Sequence, residues 1–190
     1  MSVNEKKRGR PAAKQSQSQL SAESILDSAK SLMKKDGKVP SIRSLATQLN
    51  VDPMAIYHYF KNKNALLEAL TTSLVEEIYQ PQVNEDWQGE LKSLCLSYIE
   101  LLREYNGLLQ TMLSMTSNGP AQVFTERYQV IVQPLALSPQ VEKDSLDLLA
   151  DYLHGFAFSI SCCHDARLIK TEMMDGPLNL ICSSLLASRT

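Results

Sequence analysis

Residues 40–70 read PSIRSLATQLNVDPMAIYHYFKNKNALLEAL, and this stretch decides the fold. After Pro40, Ser41 stands where a hydroxyl caps a helix, and Ile42, Leu45, Ala46 and Leu49 recur at i, i+3, i+4 and i+7 as one apolar stripe. The stripe stops at Asn50 and Val51. Asp52 then caps a second helix that opens on Pro53, at the position where a missing N–H leaves nothing unsatisfied. That helix is about two turns long; Ile56 and Phe60, four apart, turn inward, which leaves Met54, Ala55, Tyr57, His58 and Tyr59 on its other faces. A third helix begins after Asn62.

Two helices joined by a turn of three or four residues, the second small and polar at its start, form the helix-turn-helix arrangement that reads a DNA major groove. The segment resembles the DNA-binding domain of the TetR family of transcriptional regulators. The residues that carry the resemblance are Tyr57, His58, Tyr59 and Phe60 at the end of the reading helix, then Lys61, Asn62, Lys63, Leu66 and Leu67 at the entry to the next; the tract from about Ser21 to Leu74 fits throughout. The resemblance implies a ligand-responsive, sequence-specific regulator, a repressor that binds a palindromic double-stranded operator as a homodimer. Within the tract, Arg43, Ser44, Tyr59, Lys61 and Lys63 suit phosphate contact, Met54, Ala55, Tyr57 and His58 suit base edges and thymine methyls, and Ser41 and Pro53 are further DNA-binding candidates.

Upstream, residues 1–19 are polar and lack apolar periodicity, which predicts a disordered basic arm. Within it Lys7, Arg8, Gly9, Arg10 and Pro11 match an AT-hook core, a sequence suited to a narrow A·T minor groove; a merely solubilising tail is the alternative. Ser21 caps the first ordered helix, which carries Ile25, Leu26, Ala29, Leu32 and Met33 on one face and ends at Asp36-Gly37. The expected organisation is therefore an arm (1–19), a helix-turn-helix head (20–64) and a helical regulatory and dimerisation body (65–190). The fold class is all-α, a three-helix head joined by a linking helix to a helical body. The linking helix carries Leu66, Leu67, Leu70, Leu74 and Ile78, as far as Tyr79-Gln80-Pro81.

The body keeps a helical period throughout. A wide stripe runs from Trp87 to Tyr105, Leu108 to Met115 forms a short apolar helix, and Ser117-Asn118-Gly119-Pro120 reads as a loop. A helix from about Ala121 ends near Pro134, and Ser138-Pro139 restarts the chain. The helix that follows is apolar nearly all round from Leu146 to Cys163, interrupted by Asp147, Asp151 and His154, so it needs cover on more than one side. Asp175-Gly176-Pro177 opens the last helix, with Leu178, Ile181, Cys182, Leu185 and Leu186. The two C-terminal helices exceed what one small bundle buries, and a homodimer through them is expected; a monomer core is the alternative.

Charge is divided along the chain. Through Asn64 there are 12 Lys or Arg against 5 Asp or Glu, and from Ala65 onward 7 against 16, so a head of +7 precedes a body of −9. A polyanion is drawn to one and repelled by the other. No apolar run reaches the roughly 18 residues of a membrane span, and the polar start shows no secretory signal, so a cytoplasmic protein without membrane association is expected.

For an unknown small-molecule effector, Tyr98, Tyr105, Met112, Met115, Phe124, Tyr128, His154 and Phe158 are the candidate lining of an apolar pocket. Cys162, Cys163 and His164 raise a thiol- or metal-responsive alternative, but helix neighbours point about 100° apart, so these cysteines are expected to be buried and structural. An architectural DNA binder without a ligand, or an adaptor using the acidic body, are the other readings. No cofactor is expected. The histidines are dispersed, and neither a phosphate loop nor a nucleophile motif is present, which argues against an enzyme.

Overall fold

The computed structural model describes residues 20–165 and 168–189; the arm, with Lys7, Arg8 and Arg10, lies outside the described residues. Among those residues every regular element is helical. The head is α1 (Ala22–Asp36), α2 (Ile42–Leu49) and α3 (Pro53–Tyr57). Ser21 caps α1 in a reciprocal box, the Ser24 N–H donating to Ser21 Oγ at 3.0 Å and the Ser21 N–H to Ser24 Oγ at 2.9 Å. Gly37 ends the helix in the left-handed region at φ 63°, and Asn50 ends α2 likewise at φ 54°. Ile25, Met33, Leu45 and Ile56 are wholly buried between the three helices, each contributing roughly 1.5–3 kcal/mol.

The reading helix is shorter than its sequence suggests. α3 stops at Tyr57, and His58 and Tyr59 lie in the turn that follows, with Phe60 folded back into the core. Two backbone bonds to the Ile56 carbonyl, from the Tyr59 and Phe60 amides at 3.0 and 3.1 Å, close this turn.

The linking helix α4 (Lys63–Val75) starts where expected, after Asn62, whose Oδ1 caps it by accepting the Ala65 N–H at 2.8 Å. It ends at Val75, short of Ile78, and the cause lies in the body. α5 (Trp87–Glu104), α6 (Leu108–Ser114) and α7 (Gly119–Val132) follow, and Arg127 of α7 donates to four carbonyls at the end of α4. Its Nη1 reaches Val75, Ile78 and Tyr79 at 3.2, 2.6 and 3.3 Å, and Nη2 reaches Glu76 at 2.7 Å. The guanidinium takes over the acceptors that a further turn of helix would have used. Gly119 and Pro120, expected in a loop, form the first turn of α7.

A 3-10 turn (Gln133–Leu135) leads to α8 (Pro139–Cys162), capped by Ser138, and a second (Thr171–Met174) leads to α9 (Asp175–Ala187). α8 packs on α5 and α7 through Leu149, Leu153 and Ala157, and α9 packs on α8. Within one chain, however, α8 is covered on one side only. Leu148 and Phe158 are exposed on it, and α9 exposes Leu180 and Leu186. Cys95 and Cys182 are buried, but Cys162 is exposed and Cys163 half-buried at the end of α8, against the expectation of buried structural thiols there.

One cluster of buried apolar side chains runs from Ile25 in the head through Leu66, Leu70 and Leu74 of α4 to Leu185 in α9. Head and body therefore share a core through α4. Two ion pairs tie the same elements at the surface, Lys30 to Glu77 and Lys34 to Glu104.

Candidate nucleic-acid interface and ligand cavity

The helix-turn-helix places most of its candidate contacts on one solvent-facing end. Met54 is 64% exposed, and Pro53, Tyr57 and His58 are exposed beside it, with Ala55 half-buried behind. An Asp52 carboxylate oxygen accepts the Met54 N–H at 2.7 Å and fixes the start of α3. Ser41 and Ser44 hold one another at the start of α2, the Ser44 N–H donating to Ser41 Oγ at 3.0 Å and its hydroxyl to the Ser41 carbonyl at 2.9 Å. Arg43, Lys61 and Lys63 are exposed. Tyr59 differs from its neighbours, for its hydroxyl donates to the Leu20 carbonyl at 2.6 Å. It ties Leu20, the first of the described residues, to the turn that ends the reading helix.

In the body, a cavity of about 230 Å³ opens between α5, α6, α7 and α8. Tyr98, Met112, Phe124 and His154 of the expected set line it. Tyr105, Met115, Tyr128 and Phe158 do not. Tyr105 is buried at the turn after α5; Tyr128 is buried with its hydroxyl on Ser145 Oγ at 2.7 Å; Met115 sits at the seam with α4, 3.6 Å from Thr71 Oγ1; and Phe158 points outward from α8. Helical spacing placed them on apolar faces, but only tertiary packing decides which apolar face borders a void.

The lining that composition missed is Leu113, Ser117, Pro120, Ala121, Thr125, Leu146, Asp147 and Ala150. Part of it was legible, since Asp147 and His154 interrupt the apolar run of α8 seven residues apart and so share a face.

Tyr98 and His154 form the polar centre of the cavity. The phenol oxygen lies 3.0 Å from Nε2, and the Tyr98 ring packs tilted against Phe124 with centroids 5.0 Å apart. Burial pushes the Tyr98 hydroxyl up and the His154 imidazole down from their ordinary values, the Asp151 carboxylate opposing the second shift. Both shifts favour the neutral form. An imidazole nitrogen accepts better than a phenol oxygen, so we assign the hydroxyl as donor to Nε2, which leaves the ring proton on Nδ1.

The wall between cavity and linking helix is the first part of α7. Its Pro120, Ala121 and Phe124 face the cavity, while Gly119 lies so close to α4 that an added Cβ would stand 2.6 Å from Thr72 Oγ1. Gly119 has an ordinary negative φ, so the glycine supplies space and not backbone freedom. The hydroxyl oxygens of Thr72 and Ser117 are buried at this seam without a hydrogen-bond partner. Among the described residues, no group of three or more His, Cys, Asp or Glu side chains could hold a metal ion, and no helix is long and apolar enough to cross a membrane.

Residues 25–70 match the family model described as bacterial regulatory proteins, tetR family. The helix-turn-helix head therefore matches that of the TetR family. Among curated relatives, it is 41% identical over 66 residues to the class G tetracycline repressor of Vibrio anguillarum, a match covering 33% of this chain and 31% of that one. The match thus spans about a third of the relative's length. The whole fold is similar to ActR of Streptomyces coelicolor in complex with actinorhodin, with a TM-score of 0.75 at 17% identity over 90% of this chain and 98% of that one. It is similar too to BioQ with its double-stranded DNA operator, with a TM-score of 0.69 at 20% identity over 89% and 99%. At these identities the likeness establishes a shared fold.

Proposed function

We propose that this protein is a non-enzymatic, cytoplasmic transcriptional repressor that grips a palindromic operator as a homodimer and releases it when a small molecule fills the cavity. The carrying observation is that α7 has the cavity on one face and α4 on the other, while α4 begins directly behind the reading helix. Expansion of the cavity presses α7 at Gly119 against Thr72 and, through Arg127, pulls on the end of α4. The buried hydroxyls of Thr72 and Ser117 mark a seam whose present packing is not its only good one. A tilt of α4 swings the head, and two heads must meet half-sites about 34 Å apart, so a small displacement breaks the register.

The dimer face is the outer side of α8 and α9. Leu148, Gly155 and Phe158 on α8 and Leu180 on α9 are exposed, and no atom beyond the helix's own backbone comes within 4 Å of a Cβ placed on Gly155. Small and apolar residues in that order let a second copy approach closely. On DNA, Met54, Tyr57 and His58 read bases, Arg43, Lys61 and Lys63 hold phosphates, and Arg8 and Arg10 of the arm enter the flanking minor groove. The groups available on Ser41 and Ser44 are occupied in helix capping, which leaves them secondary contacts.

The test is linkage. Once an operator is selected from random DNA and an effector is found by screening, calorimetry gives the effector's affinity with and without operator. Operator should weaken effector binding by the factor by which effector weakens operator binding, typically 1 to 3 kcal/mol of coupling. Equal affinities would remove the regulatory half of this function.

A further inference from the structure

The chemistry of the cavity wall restricts what can enter it. Among its lining residues there is no Lys or Arg; Asp147 is the one carboxylate, and burial disfavours the charged form of His154. An anionic ligand would give up its hydration for a low-dielectric site with no counter-charge in its lining, inside a body (65–190) that is already at −9. A cation meets the opposite situation. The Asp147 carboxylate is on the rim, mostly exposed, and partnered by Lys143 of its own helix at 2.6 Å. An ammonium carried by a ligand can take the place of this lysine with little loss, because an exposed i,i+4 pair contributes only about 0.3–0.5 kcal/mol.

The interior favours a flat apolar group. Tyr98 and Phe124 offer tilted aromatic faces and Met112 a polarisable thioether, both good partners for a ring. The Tyr98–His154 pair keeps an unused lone pair on the phenol oxygen and a ring N–H, enough to orient one hydroxyl or ring nitrogen. Size is the remaining restriction. At about 230 Å³ the cavity is below the roughly 300–1,000 Å³ of drug-sized sites, so it admits one or two fused rings and not an extended polycycle.

Resting on the proposed role of this cavity as the effector site, we infer that the effector is a compact aromatic amine, its ring system between Tyr98, Phe124 and Met112 and its ammonium beside Asp147. Carboxylated and phosphorylated metabolites are rejected by the same wall. Selectivity thus comes from a single rim carboxylate and from a lining that holds no Lys or Arg to answer an anion, the nearby Lys143 being engaged by Asp147.

Three naphthalenes of matched size separate these claims: 2-naphthylmethylamine, 2-naphthylmethanol and 2-naphthoate, each titrated calorimetrically into the full-length protein at neutral pH. The amine should bind best, the alcohol next, and the carboxylate at least tenfold more weakly than the amine. Asp147→Asn, at an exposed position, should bring the amine down to the level of the alcohol. Ala121→Trp, on the rim of the cavity, should weaken all three. If the carboxylate binds as well as the amine, or Asp147→Asn leaves the order intact, the charge rule is wrong while the cavity stands as a ligand site. If none of the three binds, the cavity is not the effector site, and both readings fall.

Discussion

Gly119→Ala is the sharpest available probe of the seam between α4 and α7. The new methyl would stand 2.6 Å from Thr72 Oγ1 and 3.6 Å from Glu68 Oε1. Glu68 is long and exposed and can move aside, whereas Thr72 is β-branched, half-buried and stiff at χ1. Overpacking of this kind costs about 1–3 kcal/mol, against which Gly→Ala in a compatible helical position returns about 0.4–1 kcal/mol. The net expectation is a loss of about 1–2 kcal/mol, or a fall in Tm of roughly 2–8 °C for a chain of this size. Thr72→Ala both opens the space and removes a buried oxygen that has no partner. The double variant should therefore recover most of the loss, and the four proteins, compared by urea denaturation, should show a coupling of about 1 kcal/mol or more. The same single variant should lower operator affinity with no small molecule present, because the wedge acts where the ligand is proposed to act. A neutral Gly119→Ala, or effects that add within about 0.5 kcal/mol, would refute direct α4–α7 contact at this point.

Arg127→Met should leave the carbonyls of Val75, Glu76, Ile78 and Tyr79 without their shared donor; we expect a loss of about 1–2 kcal/mol, and faster amide exchange confined to the last turn of α4 and the residues after it. Uniform exchange along the chain would mean that Arg127 is not what ends the helix. Leu180→Glu, at a side chain 74% exposed, should shift the protein from dimer to monomer in sedimentation while leaving its helical circular dichroism intact, and an unchanged dimer would place the interface elsewhere. His154 gives a pH dependence. Its folded value is depressed by burial, so the unfolded chain binds a proton as pH falls through about 6.5 while the folded one resists; stability is full above that pH and declines below it. His154→Gln should lose less stability than the parent between pH 7.5 and 5.5 in urea titrations, and equal losses would assign the acid sensitivity to other groups.

Much of the fold was legible because its punctuation is local. Ser21, Ser41, Asp52 and Ser138 each cap the helix that the sequence assigns to them, α4 starts after Asn62 as expected, and Gly37 and Asn50 end theirs in the left-handed region. Where an end depends on a distant residue, sequence reasoning overran. Nothing between Leu74 and Tyr79 announces that α4 must stop at Val75; the reason is Arg127, some fifty residues later. The cavity divides the same way. Tyr98, Phe124 and His154 are found by composition and spacing, but Tyr105 and Tyr128 satisfy the same pattern and are sealed in the core, and Asp147 was visible only as an interruption in an apolar run. The exposed side of α8 was foreseen as a helix needing cover, yet Phe158 was assigned to the pocket when it belongs to that outer face.

The central claim is that two heads, spaced by a dimeric body, read one two-fold DNA site through Met54, Tyr57 and His58. The measurement that tests it most directly is hydroxyl-radical footprinting of the full-length protein on a site selected from random duplex DNA. Two symmetric protected half-sites centred one helical turn apart, about 34 Å or a multiple of it, are predicted, with protection and preference lost together when Tyr57 and His58 are replaced by alanine. A single asymmetric protected stretch, or a selection that yields no preferred sequence, would contradict the account.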